Sequence, residues 1–360
     1  MANLILVATR KGLLRFHHRG DEWVALAPSF LGEPVTAVLA DPRDGALIAA
    51  LRLGHFGVKL HRSDDGGDTW RALAAPAFPT QPQPDPAAPA VDMVWTLAAG
   101  GGAEPGVLWA GTLPAALFRS ADGGESWSLV EALWSVPERA RWFGGGYDLP
   151  GLHTILVDPR DAPRLTVAVS SGGVWKSDDG GASWRQAGRG LRAEYTPPDQ
   201  ALDPVHQDPH RLAHCQADPD VVWCQHHNGI FRSTDGGETF GELTGIRPSA
   251  FGFVAVAHPA APGTAWFVPA VKDECRVPAD LRLVVNRTTD GGASFVTLAD
   301  GLPSRSYDLV YRHALAVDAS GRMLAMGSTT GNLWLSADGG EHWRTLSTTL
   351  PPIAQVAFAG

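Results

Sequence analysis

One short pattern recurs along the chain: "SDDGGDTW" from Ser63, "SADGGESW" from Ser120, "SDDGGASW" from Ser177, "STDGGETF" from Ser233, "TTDGGASF" from Thr288 and "SADGGEHW" from Ser336. Successive copies start 57, 57, 56, 55 and 48 residues apart. A repeat of that period is one supersecondary unit, too small to bury its apolar face alone and therefore stacked against its neighbours. A degenerate copy, "GLLRFHHRGDEW" from Gly12 to Trp23, precedes the six.

The third unit shows the internal order. "GLHTILVDPRD" (151–161) and "RLTVAVSSGGVWKS" (164–177) lead into the box, and "WRQAG" follows it. Short apolar runs broken by Asp-Pro and Gly-Gly turns predict four antiparallel strands, a to d, with the box on the c–d hairpin. The chain opens at a strand b, "LILVATR", and ends on "PPIAQVAFAG", a strand a without successors. Pairing the two ends completes a seventh unit and removes the exposed edges of an open array. The fold expected is all-β, a seven-bladed β-propeller of four-stranded antiparallel blades. It forms one domain over residues 1–360, with a closing blade shared by the N-terminal strands and the C-terminal strand. The 41 Gly and 28 Pro suit a chain with so many tight turns.

The acids of the box read as turn chemistry. Asp-Gly-Gly supplies positive φ, and the Asp side chain accepts backbone N–H groups. No copy has the oxygen-ligand spacing of an EF-hand loop. Asp65, Asp122, Asp179, Asp235, Asp290 and Asp338 are therefore expected to be structural. "GGGYDLPG" (144–151) lacks the strand-to-helix setting of a dinucleotide fingerprint, and there is no His-Glu-x-x-His, Cys-x-x-Cys or Gly-x-Ser-x-Gly. The net charge of −9, without a Lys/Arg run, argues against nucleic acid. No apolar window fits a membrane span, and the apolar run before Arg10 and Lys11 is shorter than a signal-peptide core, so a cytoplasmic protein is expected. Three cysteines make no disulfide framework, and Cys215 is expected opposite Cys224 as a packed thiol.

In such blades the a–b and c–d turns share one face, and the d-to-a connections and b–c turns share the other. The long connections 74–92, 130–151 and 187–210 all fall on the second face, where connections of that length mark binding sites. Tyr147, Tyr195, Tyr307 and Tyr311 lie in d-to-a connections with Trp142 and Arg141, and Trp95 lies near the start of a strand a. Turns of the b–c type add Arg10, His55, His226, His227 and Arg276. Arg312 precedes His313, which matches His153: each stands five residues before an Asp, Asp318 and Asp158. Ring faces, imidazoles and guanidinium groups around one mouth suit a carbohydrate or a small polar, anionic ligand.

The box resembles the BNR or Asp-box motif, Ser-x-Asp-x-Gly-x-Thr-Trp, over essentially the whole chain. That resemblance implies kinship with sialidases, xyloglucan-cleaving glycosidases, sortilin-type receptors and a photosystem II assembly propeller. Short bacterial members opening like "LVATRKGL" are called sialidase-like or glycosyl-hydrolase-like. A sialidase would need an arginine triad, for which Arg141, Arg276 and Arg312 are available, and a Tyr–Glu pair, for which Glu194 adjoins Tyr195. The Arg-Ile-Pro motif of such enzymes is missing after Arg10, which speaks against a true exo-sialidase.

Three functions remain open on the sequence. The first is a pore-mouth site for a carbohydrate or small polar ligand, with Glu194 or Asp148 as acid/base and Tyr195, His153 and His313 beside it if hydrolysis occurs. The second is a non-catalytic interaction or assembly propeller that docks a protein on the long-loop face. The third needs a divalent metal held by His153, His313, His226 or His227 to activate water. No motif demands any other cofactor.

Overall fold

The computed structural model of the chain describes residues 2–20, 22–80 and 88–360, so part of the 74–92 connection lies outside the described residues. Seven four-stranded antiparallel sheets follow in chain order around a ring. Blade 3 is representative, with strands Leu152–Val157, Leu165–Val169, Gly173–Ser177 and Arg185–Ala187. The closing blade, blade 7, takes its strands b, c and d from Leu4–Thr9, Gly12–Arg19 and Glu22–Ala25, and its strand a from Ile353–Ala359. Val7 pairs with Val356 and Leu6 with Ala357.

The apolar cores lie between blades, which is why the units must stack. Leu4, Leu6, Ala8 and Leu13 of blade 7 pack with Val35, Val38, Leu47, Ala49 and Leu51 of blade 1. Val107, Trp109 and Leu117 of blade 2 pack with Leu152, Val167 and Trp175 of blade 3. Each alternating strand thus sends its two faces into two different cores. The ring is also stitched at its closure: the Gln355 amide donates to Val38 O at 2.8 Å and accepts from Val38 N at 2.9 Å.

The boxes sit on the c–d hairpins and satisfy themselves. Ser177 Oγ accepts the Gly181 N–H at 2.9 Å and donates to Asp179 Oδ1 at 2.8 Å. Asp179 also accepts the backbone N–H of Ser183 at 2.9 Å and its hydroxyl at 2.5 Å. Gly180 and Gly181 have φ of 69° and 90°, the region that glycine occupies without strain. The same bonds recur from Ser63 to Ser336, with His342 taking the last position of the sixth copy.

One expected register is corrected. Cys224 lies opposite Leu212, and Cys215 lies outside the strand in the turn, where its N–H bonds Val221 O. The a–b turn here is longer than a two-residue hairpin, which shifts the pairing. Both cysteines are free and buried, whereas Cys275 is free and exposed.

Candidate functional site

A β-bulge interrupts the first strand of most blades near its start. It falls at Thr36, Trp95, His153 and His210, and the closing strand carries one at Ala354. A bulge leaves one residue out of the ladder and re-aims its side chain. Here it occurs where the strands meet the centre of the ring. Thr36, Trp95, His210 and Ala354 all line one cavity of about 640 Å³. Every blade contributes to that cavity, always through a strand-a start, a d-to-a connection or a b–c turn, so it opens opposite the boxes.

Two positively charged groups dominate one side. The Arg312 guanidinium lies 5.0 Å from the Trp95 ring centre and 5.5 Å from that of Phe253. Arg312 is only 8% exposed and has no hydrogen bond or ion pair among the described residues. Burial depresses its pKa, and nearby Asp208 works in the opposite direction. Arg276 rises from an inserted hairpin, Ala270–Lys272 with Cys275–Pro278. It donates to Asp273 Oδ1 at 2.7 Å and to the Tyr311 hydroxyl at 3.4 Å.

Facing them is a group formed by Asp208, His210 and His227. Asp208 Oδ2 lies 3.3 Å from His210 Nε2 and 3.5 Å from His227 Nδ1. Its other oxygen accepts the Ser171 N–H at 3.1 Å. Burial alone would raise the Asp208 pKa, but His210, His227 and Arg312 hold it well below the usual range. Burial likewise tends to lower His227, and Asp208 outweighs it and raises the ring's pKa. The glycine-rich loop 144–147 backs this group closely. A Cβ on Gly145 would stand 2.5 Å from Ser171 Oγ and 3.2 Å from Asp208 Oδ1. Close approach explains that glycine.

The structure brings together Arg10, Trp95, Tyr147, Tyr195, His227, Arg276, Tyr311, Arg312 and His313 on the cavity wall. Tyr147 and Trp95 meet edge to face at 5.2 Å, and the Tyr195 hydroxyl donates to His206 O at 2.6 Å. The remaining candidates lie outside the lining. Glu194 is ion-paired with Arg192 at 2.6 Å, and Asp148 is exposed. Trp142 is core, edge-on to Trp175 at 5.7 Å. Arg141 pairs with Asp203 and contacts His206, so only two of the three triad arginines reach the cavity. His55 sits in a short 3-10 turn against Phe56. The His226 nitrogens lie 3.1 Å from the backbone N–H groups of Asp208 and Asn228, and the lone pair of the buried neutral ring is taken up by one of them, as befits a structural ring. His153 is fully buried beside Trp95, and its backbone carbonyl receives His313 Nε2 at 2.8 Å. Burial holds both of these rings neutral, well below the usual histidine range.

Asp208, His210, Phe253, Phe143 and Arg52 line the cavity without having been singled out in the sequence. His210 carried a usable signal: it stands five residues before Cys215, as His153 and His313 stand before their aspartates.

No protein-family model matches the chain. A xyloglucanase of Paenibacillus sp is 23% identical over 317 residues, which cover 77% of this chain and 29% of that protein. The chain spans less than a third of the length of the curated relatives it matches. The GH74 xyloglucanase from Xanthomonas campestris superposes with a TM-score of 0.67 at 19% identity, over 99% of this chain and 52% of that one. YCF48 bound to D1 peptide superposes with a TM-score of 0.54 at 14% identity, over 95% of this chain and 84% of that one. At such identities the likeness is one of fold, a propeller like that of a glycosyl hydrolase, and an activity does not follow from it. Among the described residues no helix is long and apolar enough to cross a membrane.

Proposed function

We propose that the chain is a glycoside-hydrolase-like propeller, one domain over residues 1–360, whose cavity binds a carbohydrate or other small polar ligand carrying an anionic group. Arg312 carries this reading. Its Nε is buried without a hydrogen-bond partner among the described residues, and a ligand carboxylate or phosphate in the cavity would supply charge-assisted bonds. Trp95 and Tyr147 add ring surface against which a sugar face can stack. The cavity volume of about 640 Å³ falls within the range of small-molecule sites.

Hydrolysis by paired carboxyls needs two of them roughly 5–10 Å apart, one protonated. The cavity acids are Asp208, which lies beside His227 and Arg312, and Asp273, which is paired with Arg276. Such surroundings favour the ionised form, so the reading is of a binding site first. A second reading, a non-catalytic interaction platform, is favoured by the coverage of 84% of the YCF48 chain in its peptide complex. Calorimetric titration separates them, using xyloglucan oligosaccharides, uronic-acid oligosaccharides and an acidic peptide. Saturable binding of an oligosaccharide that Arg312→Met abolishes is expected, with chromatography of the incubated sugar reporting any cleavage. Binding of the peptide alone would transfer support to the platform, and binding unaffected by Arg312→Met would overturn the site.

A further inference from the structure

The three donors Asp208 Oδ2, His210 Nε2 and His227 Nδ1 lie within 4.8 Å of one another. The partner of His210 on its far side fixes the tautomer. His210 Nδ1 is 2.6 Å from Gly252 O, and a carbonyl oxygen only accepts, so the Nδ1 proton is committed there. In the neutral ring Nε2 then presents a lone pair, and that lone pair meets the Asp208 carboxylate at 3.3 Å. Two acceptors at that distance repel unless a proton or a cation lies between them. Without a metal, a proton on His210 Nε2 and the His227 Nδ1–H at 3.5 Å would both be directed at that one oxygen.

A cation uses all three. Bonds of about 2.0–2.1 Å in a tetrahedral or octahedral centre place neighbouring donors roughly 2.9–3.4 Å apart, close to the two spacings found here. The surroundings are those of a supported site. Gly252 O orients His210, the Ser171 N–H holds Asp208 Oδ1 at 3.1 Å, and the backbone N–H of Asp208 lies 3.1 Å from the His226 ring. The i, i+2 spacing of Asp208 and His210 brings them to the start of one strand, with the bulge at His210 and the b–c turn delivering His227 beside them.

We propose that Asp208, His210 and His227 bind one divalent ion of the zinc class, with a remaining coordination position open to the cavity for water or a ligand oxygen. Two imidazoles and one carboxylate suit zinc, and harder ions such as magnesium prefer all-oxygen sites. The inference goes beyond the ligand reading and does not depend on it. Metal binding is measured with no sugar or peptide present, so either idea can fail while the other stands.

The test uses the full chain, produced without a polyhistidine tag and stripped with a chelator. Titration with Zn²⁺ by calorimetry, and with Co²⁺ by visible absorption, is expected to give one ion per chain. His227→Gln, at a half-exposed position, is expected to lower the affinity at least tenfold without unfolding the chain, with His210→Gln doing the same. His55→Gln, outside the group, is expected to leave it unchanged. Absence of binding at millimolar Zn²⁺ in folded protein would overturn the site. So would affinity unchanged in folded His227→Gln.

Discussion

On the face that carries the c–d hairpins, the serines and acids of the boxes are closed on one another. Asp179 spends its oxygens on Ser177 and on the N–H and hydroxyl of Ser183. On the opposite face, Arg312 Nε and His153 Nε2 are buried without a hydrogen-bond partner among the described residues, and His210 confronts Asp208 across lone pairs. Both faces hold acids beside glycines, so residue type does not separate them. Satisfaction does. A buried group left without a partner lowers stability, and the missing partner is what a ligand or ion supplies.

The sharpest way to break this contrast is Arg312→Met. It is expected to weaken an anionic ligand by about one to two orders of magnitude, the worth of a charge-assisted bond, as read by calorimetry. Urea unfolding should show equal or greater stability, because a buried unpaired charge is gone. A variant that binds normally, or that unfolds more easily, would place Arg312 among the closed groups instead. Gly145→Ala should come next. Its Cβ would press on Ser171 and Asp208, costing about 1–3 kcal/mol and disturbing the cavity, so stability and binding should fall together.

Ser177→Ala sharpens the other side. The Gly181 N–H loses its acceptor, and about 1–3 kcal/mol of stability should go, with ligand binding unchanged. Loss of binding in that variant would mean the two faces are coupled. The boxes also predict an acid transition. Hydroxyl and N–H donors from residues 126, 183 and 294 hold Asp122, Asp179 and Asp290 at about 2, against 3.8 for a free carboxyl. A folded pKa below the unfolded one contributes stability that is complete above about pH 4 and is lost as pH falls through 2. Asp179→Asn should flatten the acid unfolding curve within that window, and an unaltered curve would remove the box acids from the account. The smallest effect expected is for Glu194→Gln: within about 0.5 kcal/mol in stability and no change in binding, since its partner Arg192 is itself exposed and also bonds Glu242.

The ring was legible because turn residues recur at a fixed period and the two chain ends are complementary strands. The choice of face was legible for the same reason: hairpin order dictates which turns share a side. The site itself was legible in part. Trp95, Tyr147, Arg276, Arg312 and His313 reach the cavity because loop position and strand register place them there. Trp142, in an equally long connection, turned inward to cover Trp175, and no local pattern distinguishes a loop aromatic that plugs from one that lines. Asp208 and His210 depend on a bulge, which sequence alternation does not reveal. Their register was nevertheless visible, because Thr36 stands five residues before Asp41 as His153 stands before Asp158.

Tryptophan indole signals offer the most direct reading of the contrast, because both faces carry them. In ¹H–¹⁵N spectra of the chain titrated with an acidic oligosaccharide, the Trp95 indole is expected to shift and saturate. The box indoles of Trp70, Trp127 and Trp184, each bonded to a backbone carbonyl, are expected to stay in place. A saturable shift at the box indoles with Trp95 unmoved would contradict the account.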